Sequence, residues 1–204
     1  MDLKETYNKI AEDWVTDHDK DTWGKAGADM FLSFLPKGAT ILDVGCGGGI
    51  KTNYIAKQGY VASGVDFSEK MIEIAKRDYP TLEFGVLDMY DIDTYPKMVD
   101  GIFVQAALLH IKKDRVLEVL KKMKDKLNPG GVIYIAVKAM RDNGVEEEVK
   151  TENDYGYDYE RFFSYFSLAE LKRYFEQLDL ELVWEGDADT SVTHWLQIVG
   201  KKVF

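Results

Sequence analysis

The stretch ILDVGCGGGIKTNYIA, residues 41–56, constrains this chain more than any other. An apolar run leads through Asp43 into Gly45, Cys46, Gly47, Gly48 and Gly49, and a polar helical pattern follows at once. Glycine loses more backbone freedom on folding than any other residue, so a cluster at a strand-to-helix turn requires a reason. Bare backbone that admits a ligand is one, because such a turn offers N–H groups and the positive end of a helix dipole. The spacing narrows the ligand. A dinucleotide fingerprint wants a sixth-position glycine, where this chain has Ile50, and no Gly-Lys-Ser/Thr follows to make a phosphate loop. The pattern is G-x-G-x-G, which disfavours NAD.

Around that turn the hydrophobic periodicity predicts a regular alternation. Residues 3–19 carry Leu3, Tyr7, Ile10, Ala11, Trp14 and Val15 at helical spacing, and a second helix is expected over 23–35. Strands are expected at 40–45, 60–66, 81–87, 99–105 and 131–138, with helices at 49–58, 68–78 and 112–127 between them. Ser68 reads as an N-cap, Gly59 as a helix stop, and NPGG (128–131) as a turn. Strands alternating with helices imply a doubly wound, parallel α/β sheet. The rhythm breaks over 139–166, where acids outnumber Arg141, Lys150 and Arg161 and a long loop, functional or mobile, is expected. Its Tyr155, Tyr157 and Tyr159 are lid candidates, and Phe162, Phe163 and Phe166 are core candidates. A helix at 167–179, then strands at 180–186 and 194–204 joined as a hairpin with a long connection, complete the chain.

At 204 residues the length suits one well-buried domain, 1–204, with a helical segment over 1–36 and an inserted segment over 139–166. No apolar run spans a bilayer, and the charged MDLKETYNKI has no signal-peptide core, so a cytoplasmic setting is expected. Cys46 is the only cysteine and reads as a small residue between glycines rather than a reactive thiol. A net charge of −10 disfavours nucleic-acid partners. No His/Asp/Glu cluster has metal-ligand spacing. The oligomeric state is left open.

Three features fall at successive strand ends, where open α/β sheets bind ligands. Asp66 closes the second strand about twenty residues after the first glycine, where an acid takes ribose hydroxyls. Asp88 and Met89 follow the third, and QAALLH follows the fourth. With Asp43 these acids make a negative pocket, which suits a cationic ligand. LDVGCGGG, GVDFS, LDMYD, LLHI and LNPGG, in that order, resemble a class I S-adenosylmethionine-dependent methyltransferase, over about residues 37–138. The flanks YNKIAEDW, RFFSYFSLAELKRYFEQ and HWLQIVGKK are similar to a bacterial branch of small-molecule enzymes.

The resemblance implies a seven-stranded Rossmann-like sheet with its last strand antiparallel, S-adenosyl-L-methionine as cofactor, and methyl transfer to an O, N or S atom of a small molecule. RNA- or protein-directed transfer, and a non-catalytic cofactor-binding module, are the alternatives. It further implies that Gly45, Gly47 and Gly49, with Cys46 among them, let the methionine part approach the backbone. Asp43 would organise the loop, or be a turn aspartate. Asp66 would hold the ribose and Phe67 the adenine. Asp88 would meet the adenine amino group beside Met89, unless it is a surface loop acid. Met71 is an adenine contact or a core residue. Gln105 and Ala106 would give contacts after the fourth strand, and Tyr7 would close over the methyl group or belong to the core. His110 is the candidate general base or else a pocket wall, its ordinary pKa suiting proton abstraction. His18 and His194 read as surface or structural. Lys138 and Arg161 are placed to meet a substrate carboxylate, or to form surface ion pairs.

Overall fold

The computed structural model describes residues 2–18, 24–142, 144–190 and 193–203. Its order is α1 (Leu3–His18), α2 (Lys25–Ser33), β1 (Thr40–Val44), α3 (Ile50–Lys57), β2 (Val61–Asp66), α4 (Glu69–Asp78), β3 (Glu83–Val86), β4 (Val99–Gln105), α5 (Lys113–Lys126) and β5 (Leu127–Lys138). There follow β6 (Glu147–Glu152), β7 (Tyr159–Ser164), α6 (Leu168–Gln177), β8 (Leu180–Asp189) and β9 (His194–Lys202). Seven strands form one sheet in the order β3-β2-β1-β4-β5-β9-β8. β1 to β5 pair in parallel, and β9 runs antiparallel to both β5 and β8. Strand order reverses between β1 and β4, so a crevice opens at their carboxyl ends.

The central strands are apolar on both faces because helices cover both. α5 buries Val116, Val119, Leu120 and Met123, one stripe at helical spacing, on one side of the sheet. α2 buries Ala28, Phe31 and Leu32 in the other layer. There Phe103 of β4 stacks on Tyr134 of β5 at 4.7 Å, and the Tyr134 hydroxyl donates to Gln197 Oε1 of β9 at 2.7 Å. Among the described residues no helix is long and apolar enough to cross a membrane.

The structure departs from the sequence reading in four places. β5 begins at Leu127, not 131: Leu127 already pairs with Val99, and a register shift absorbs the turn, with Gly130 at φ 76°. Asp100 pins it, accepting from Asn128 Nδ2 at 2.7 Å and from the Thr40 amide at 2.8 Å. β8 runs to Asp189, so the last hairpin's connection is short. Residues 139–166 contain the antiparallel hairpin β6–β7, whose alternation exposed/half-buried in EEVKTE carries no apolar signal. Phe162 is half-buried, whereas Phe163 and Phe166 are core. The Trp23 start of the second expected helix lies outside the described residues.

The glycine turn is seated on β2. A Cβ on Gly64 would stand 2.8 Å from Cys46 Sγ and from Phe84. Gly64→Ala is therefore expected to lower stability by about 1–3 kcal/mol in urea titration; an unchanged midpoint would show that the turn does not close on β2.

Candidate active site

Side chains from the carboxyl ends of β1 to β5, from α1 and from β7 enclose a cavity of about 760 Å³. Of the residues singled out from sequence, Tyr7, Asp43, Gly45, Cys46, Gly47, Asp66, Phe67, Met71, Asp88, Met89, Gln105, Ala106 and His110 all line it. Gly49 does not. It caps α3 at φ 83°, and a Cβ there would meet Phe84 at 2.8 Å, so its role is to let the turn pack against β3. The neighbouring glycines have packing reasons too. A Cβ on Gly45 would lie 2.3 Å from the Ala107 Cβ, and one on Gly48 would lie 2.5 Å from Val15 of α1. Four of the turn's N–H groups are already engaged within the protein: those of Gly45 and Cys46 donate to the Val65 carbonyl, that of Gly47 to Asp66, and that of Gly49 to the Cys46 carbonyl.

The acids are deeply set. Asp66 accepts from the Gly47 amide and from the Ser68 amide, each at 2.9 Å, which ties the turn to the start of α4. Ser68 then caps that helix through Met71 N. Burial pushes the Asp66 carboxyl up to about 6 against the pull of those two amides, and Asp88 pushes the same way. Asp43 accepts from Thr52 Oγ1 at 2.6 Å, and burial, with Asp66 adding, drives it up to about 7. Asp88 accepts from the Tyr90 amide at 2.9 Å. Burial raises the Cys46 thiol well above its ordinary value, so it is no thiolate nucleophile. Gln105 Oε1 is buried without a hydrogen-bond partner.

Across the cavity Tyr7 and His110, from α1 and the turn after β4, meet at 2.7 Å between Oη and Nε2. His110 Nδ1 lies 2.7 Å from the Phe162 carbonyl, which only accepts. The proton is therefore on Nδ1, Nε2 is bare, and the Tyr7 hydroxyl donates to it. Burial, with Arg161 and Lys138 repelling positive charge, takes His110 down to about 3 although the Phe162 carbonyl pulls upward. The ring is neutral at physiological pH.

The sequence reading missed several wall residues. Trp14 covers Gly47, and His18, read as surface or structural, stacks on it at 4.1 Å and also lines the cavity. Phe163 and Trp195 join the wall as well. The tyrosines expected in a lid do not. Tyr155, Tyr157 and Tyr159 gather on one another, and Tyr157 is anchored on α1 through Asp13 at 2.6 Å and under Lys9. Strand register also brings Asp187, Asp189 and His194 together at an exposed site, with ligand atoms within 4.8 Å, a grouping the spacing does not reveal.

The Asp43 environment yields a pH test. In the folded chain this carboxyl keeps, up to about pH 7, a proton that the unfolded chain releases near 3.8. That contribution to stability is complete below the unfolded value and is lost as pH rises through the folded one. Asp43→Asn retains an acceptor for Thr52 and removes the ionisation, while other groups titrate in both proteins. Its stability relative to wild type should improve by about 2 kcal/mol between pH 5 and pH 8. A difference that does not vary with pH would contradict this.

A family model described as a methyltransferase domain matches residues 18–185. Among curated proteins, the ubiquinone biosynthesis O-methyltransferase of Coxiella burnetii (strain RSA 493 / Nine Mile phase I) is 31% identical over 147 residues, covering 64% of this chain and 58% of that protein. That of Hydrogenovibrio crunogenus is 30% identical over 151 residues, covering 68% and 55%. The chain thus spans less than two thirds of the length of these relatives. In fold it is similar to the 1,6-didemethyltoxoflavin-N1-methyltransferase of Burkholderia thailandensis, solved with 1,6-didemethyltoxoflavin and S-adenosylhomocysteine (TM-score 0.77, 18% identity, 99% of this chain and 88% of that one). A S-adenosylmethionine-dependent methyltransferase from Methanosarcina mazei gives TM-score 0.75 at 16% identity, over 86% and 97%. With this sheet order, and with the family match running through most of its length, the chain belongs to the class I S-adenosylmethionine-dependent methyltransferases.

Proposed function

We infer that this protein transfers a methyl group from S-adenosylmethionine to an O, N or S atom of a small molecule. The observation that carries the reading is the donor-seeking wall of the cavity. Asp43, Asp66 and Asp88 surround the glycine turn, and Gln105 Oε1 lacks a donor. Such a wall fits a ligand with an ammonium, a sulfonium and hydroxyls, and does not suit a pyrophosphate. S-adenosylmethionine, when bound, supplies a methyl group already activated by its sulfonium.

The chain's own residues then bind and orient. Gly45, Gly47 and Gly48 present backbone along the cavity wall. Asp66 accepts from the ribose, Asp88 meets the adenine amino group, and Phe67, Met71 and Met89 give apolar walls. Gln105 Oε1 accepts from the ammonium, and the backbone at Ala106 borders it. Tyr7 and His110 face the acceptor. The bare Nε2 of His110 faces the acceptor as a hydrogen-bond acceptor and is occupied by Tyr7 in this conformation. With its pKa taken down to about 3 by burial, it is a much weaker base than the sequence reading expected. Positioning the acceptor in line is the larger task. The net charge of −10 supports a small molecule over a nucleic acid, and the single cysteine is in keeping with a cytoplasmic setting. We also read residues 1–204 as one methyltransferase domain.

Calorimetric titration with S-adenosylmethionine and, separately, NADH tests the reading. Saturable binding of the former alone is expected. Asp66→Asn, checked for folding by circular dichroism, should weaken it about tenfold or more. Binding of NADH, or an unaffected Asp66→Asn protein, would overturn the assignment. Binding without turnover on any acceptor would point to a non-catalytic module.

A further inference from the structure

Charged side chains line the cavity unevenly. Asp43, Asp66 and Asp88 stand at the ends of β1 and β2 and just beyond β3, with Lys51 beside Asp43 and Lys4 paired to Glu69, whereas Lys138, at the end of β5, and Arg161, on β7, line it elsewhere. These last two cations differ. Arg161 is held by Glu152, with nitrogen–oxygen distances of 2.5 and 2.8 Å, and its third contact is the Tyr7 hydroxyl at 3.5 Å. Lys138 has no oxygen acceptor among the described residues. Its ammonium lies 3.9 Å from the Phe163 ring centroid.

Several other half-buried lysines do have oxygen partners, although Lys150 on β6, outside the cavity, has none among the described residues. Lys113 sits on Glu170, Lys122 on Asp93 and the Tyr90 carbonyl, Lys126 on the Tyr95 carbonyl, and Lys202 on the Leu127 carbonyl. In a chain with ten more negative than positive formal charges, acids were available to pair with Lys138, and none does. Burial and the neighbouring Arg161 take its ammonium down to about 8 against an upward pull from Glu152, as expected of a cation with no directly paired acid. The walls beside it, Tyr7, His110, Phe163 and Trp195, are flat rings, and His110 is neutral.

Resting on the methyltransferase reading, we propose that the methyl acceptor is a planar carboxylic acid whose carboxylate is held by Lys138, with the Arg161 guanidinium as a second positive wall. A carboxylate there supplies the missing acceptor, and a charge-assisted bond in a partly desolvated pocket favours it over a neutral isostere. The rings bound its plane and leave its reactive atom facing Tyr7 and His110.

The test compares acids with amides of the same shape. Benzoate and cinnamate, and separately benzamide and cinnamamide, are titrated into the protein by calorimetry, with and without S-adenosylhomocysteine. At least one acid should bind about tenfold or more tighter than its amide. Lys138→Met, verified by circular dichroism, should abolish the preference, and Lys138→Arg should keep it. Equal affinities in the wild type, no acid binding at millimolar concentration, or a preference that survives in Lys138→Met would each overturn the proposal. S-adenosylhomocysteine is scored separately. If it binds while acid and amide are alike, the carboxylate assignment falls and the methyltransferase reading stands. If the acid is preferred and S-adenosylhomocysteine does not bind, the carboxylate site stands and the methyltransferase reading falls.

Discussion

The rim of the cavity depends on one buried carboxylate. Asp66 accepts the Gly47 amide with one oxygen and the Ser68 amide with the other, so the turn after β1 and the first turn of α4 are fixed to the end of β2 together. The same junction holds α1. Ser68 Oγ donates to Asn8 Oδ1 at 2.7 Å, and Asn8 Nδ2 donates to Glu69 at 3.1 Å. From there α1 places Tyr7 over the cavity and buries Ala11 and Val15 against Met71 and Ile74. Remove the carboxylate and the glycine turn, the α4 cap and the α1 dock lose their common partner.

Burial of that acid is unfavourable, and Asp43 beside it is raised further, although the Thr52 hydroxyl and amide both favour its ionised form. A fold optimised for stability alone would not hold two raised carboxyls in a cavity that also faces Asp88. The strain is electrostatic and local, and a cation relieves it. Lys138 is the counterpart, a cation with no ion-paired acid among the described residues, set over the Phe163 ring. One cavity thus brings three acids to the ends of β1 to β3 and the Lys138 ammonium to the end of β5, which fits two ligands of different charge.

Much of this is legible in the sequence where the signal is local. The strands flanking the glycine turn are read correctly because burial on both faces makes them continuous apolar runs, and parallel order then brings Asp43, Asp66 and Asp88 to adjacent ends. β6 is not legible, since a two-stranded ribbon of alternating exposed and half-buried charge resembles a loop. Gly49 is misread because its motif position matches its neighbours, while its reason for being glycine is a contact with Phe84, distant in sequence. Thr52 and Trp14 carry no signal for the same cause. Tyr7 and His110 are both visible as candidates, but nothing in a sequence states that residues so far apart share a hydrogen bond. Local rules are broken most at such sites.

The most direct measurement is carbon NMR of the Asp66 carboxyl across pH, in the free protein and with saturating S-adenosylhomocysteine. The account predicts a titration near pH 6 in the free protein. With ligand it should fall by roughly one unit or more, as hydroxyl donors favour the ionised form. A midpoint at the ordinary carboxylate value in the free protein, or one unmoved by the ligand, would contradict it.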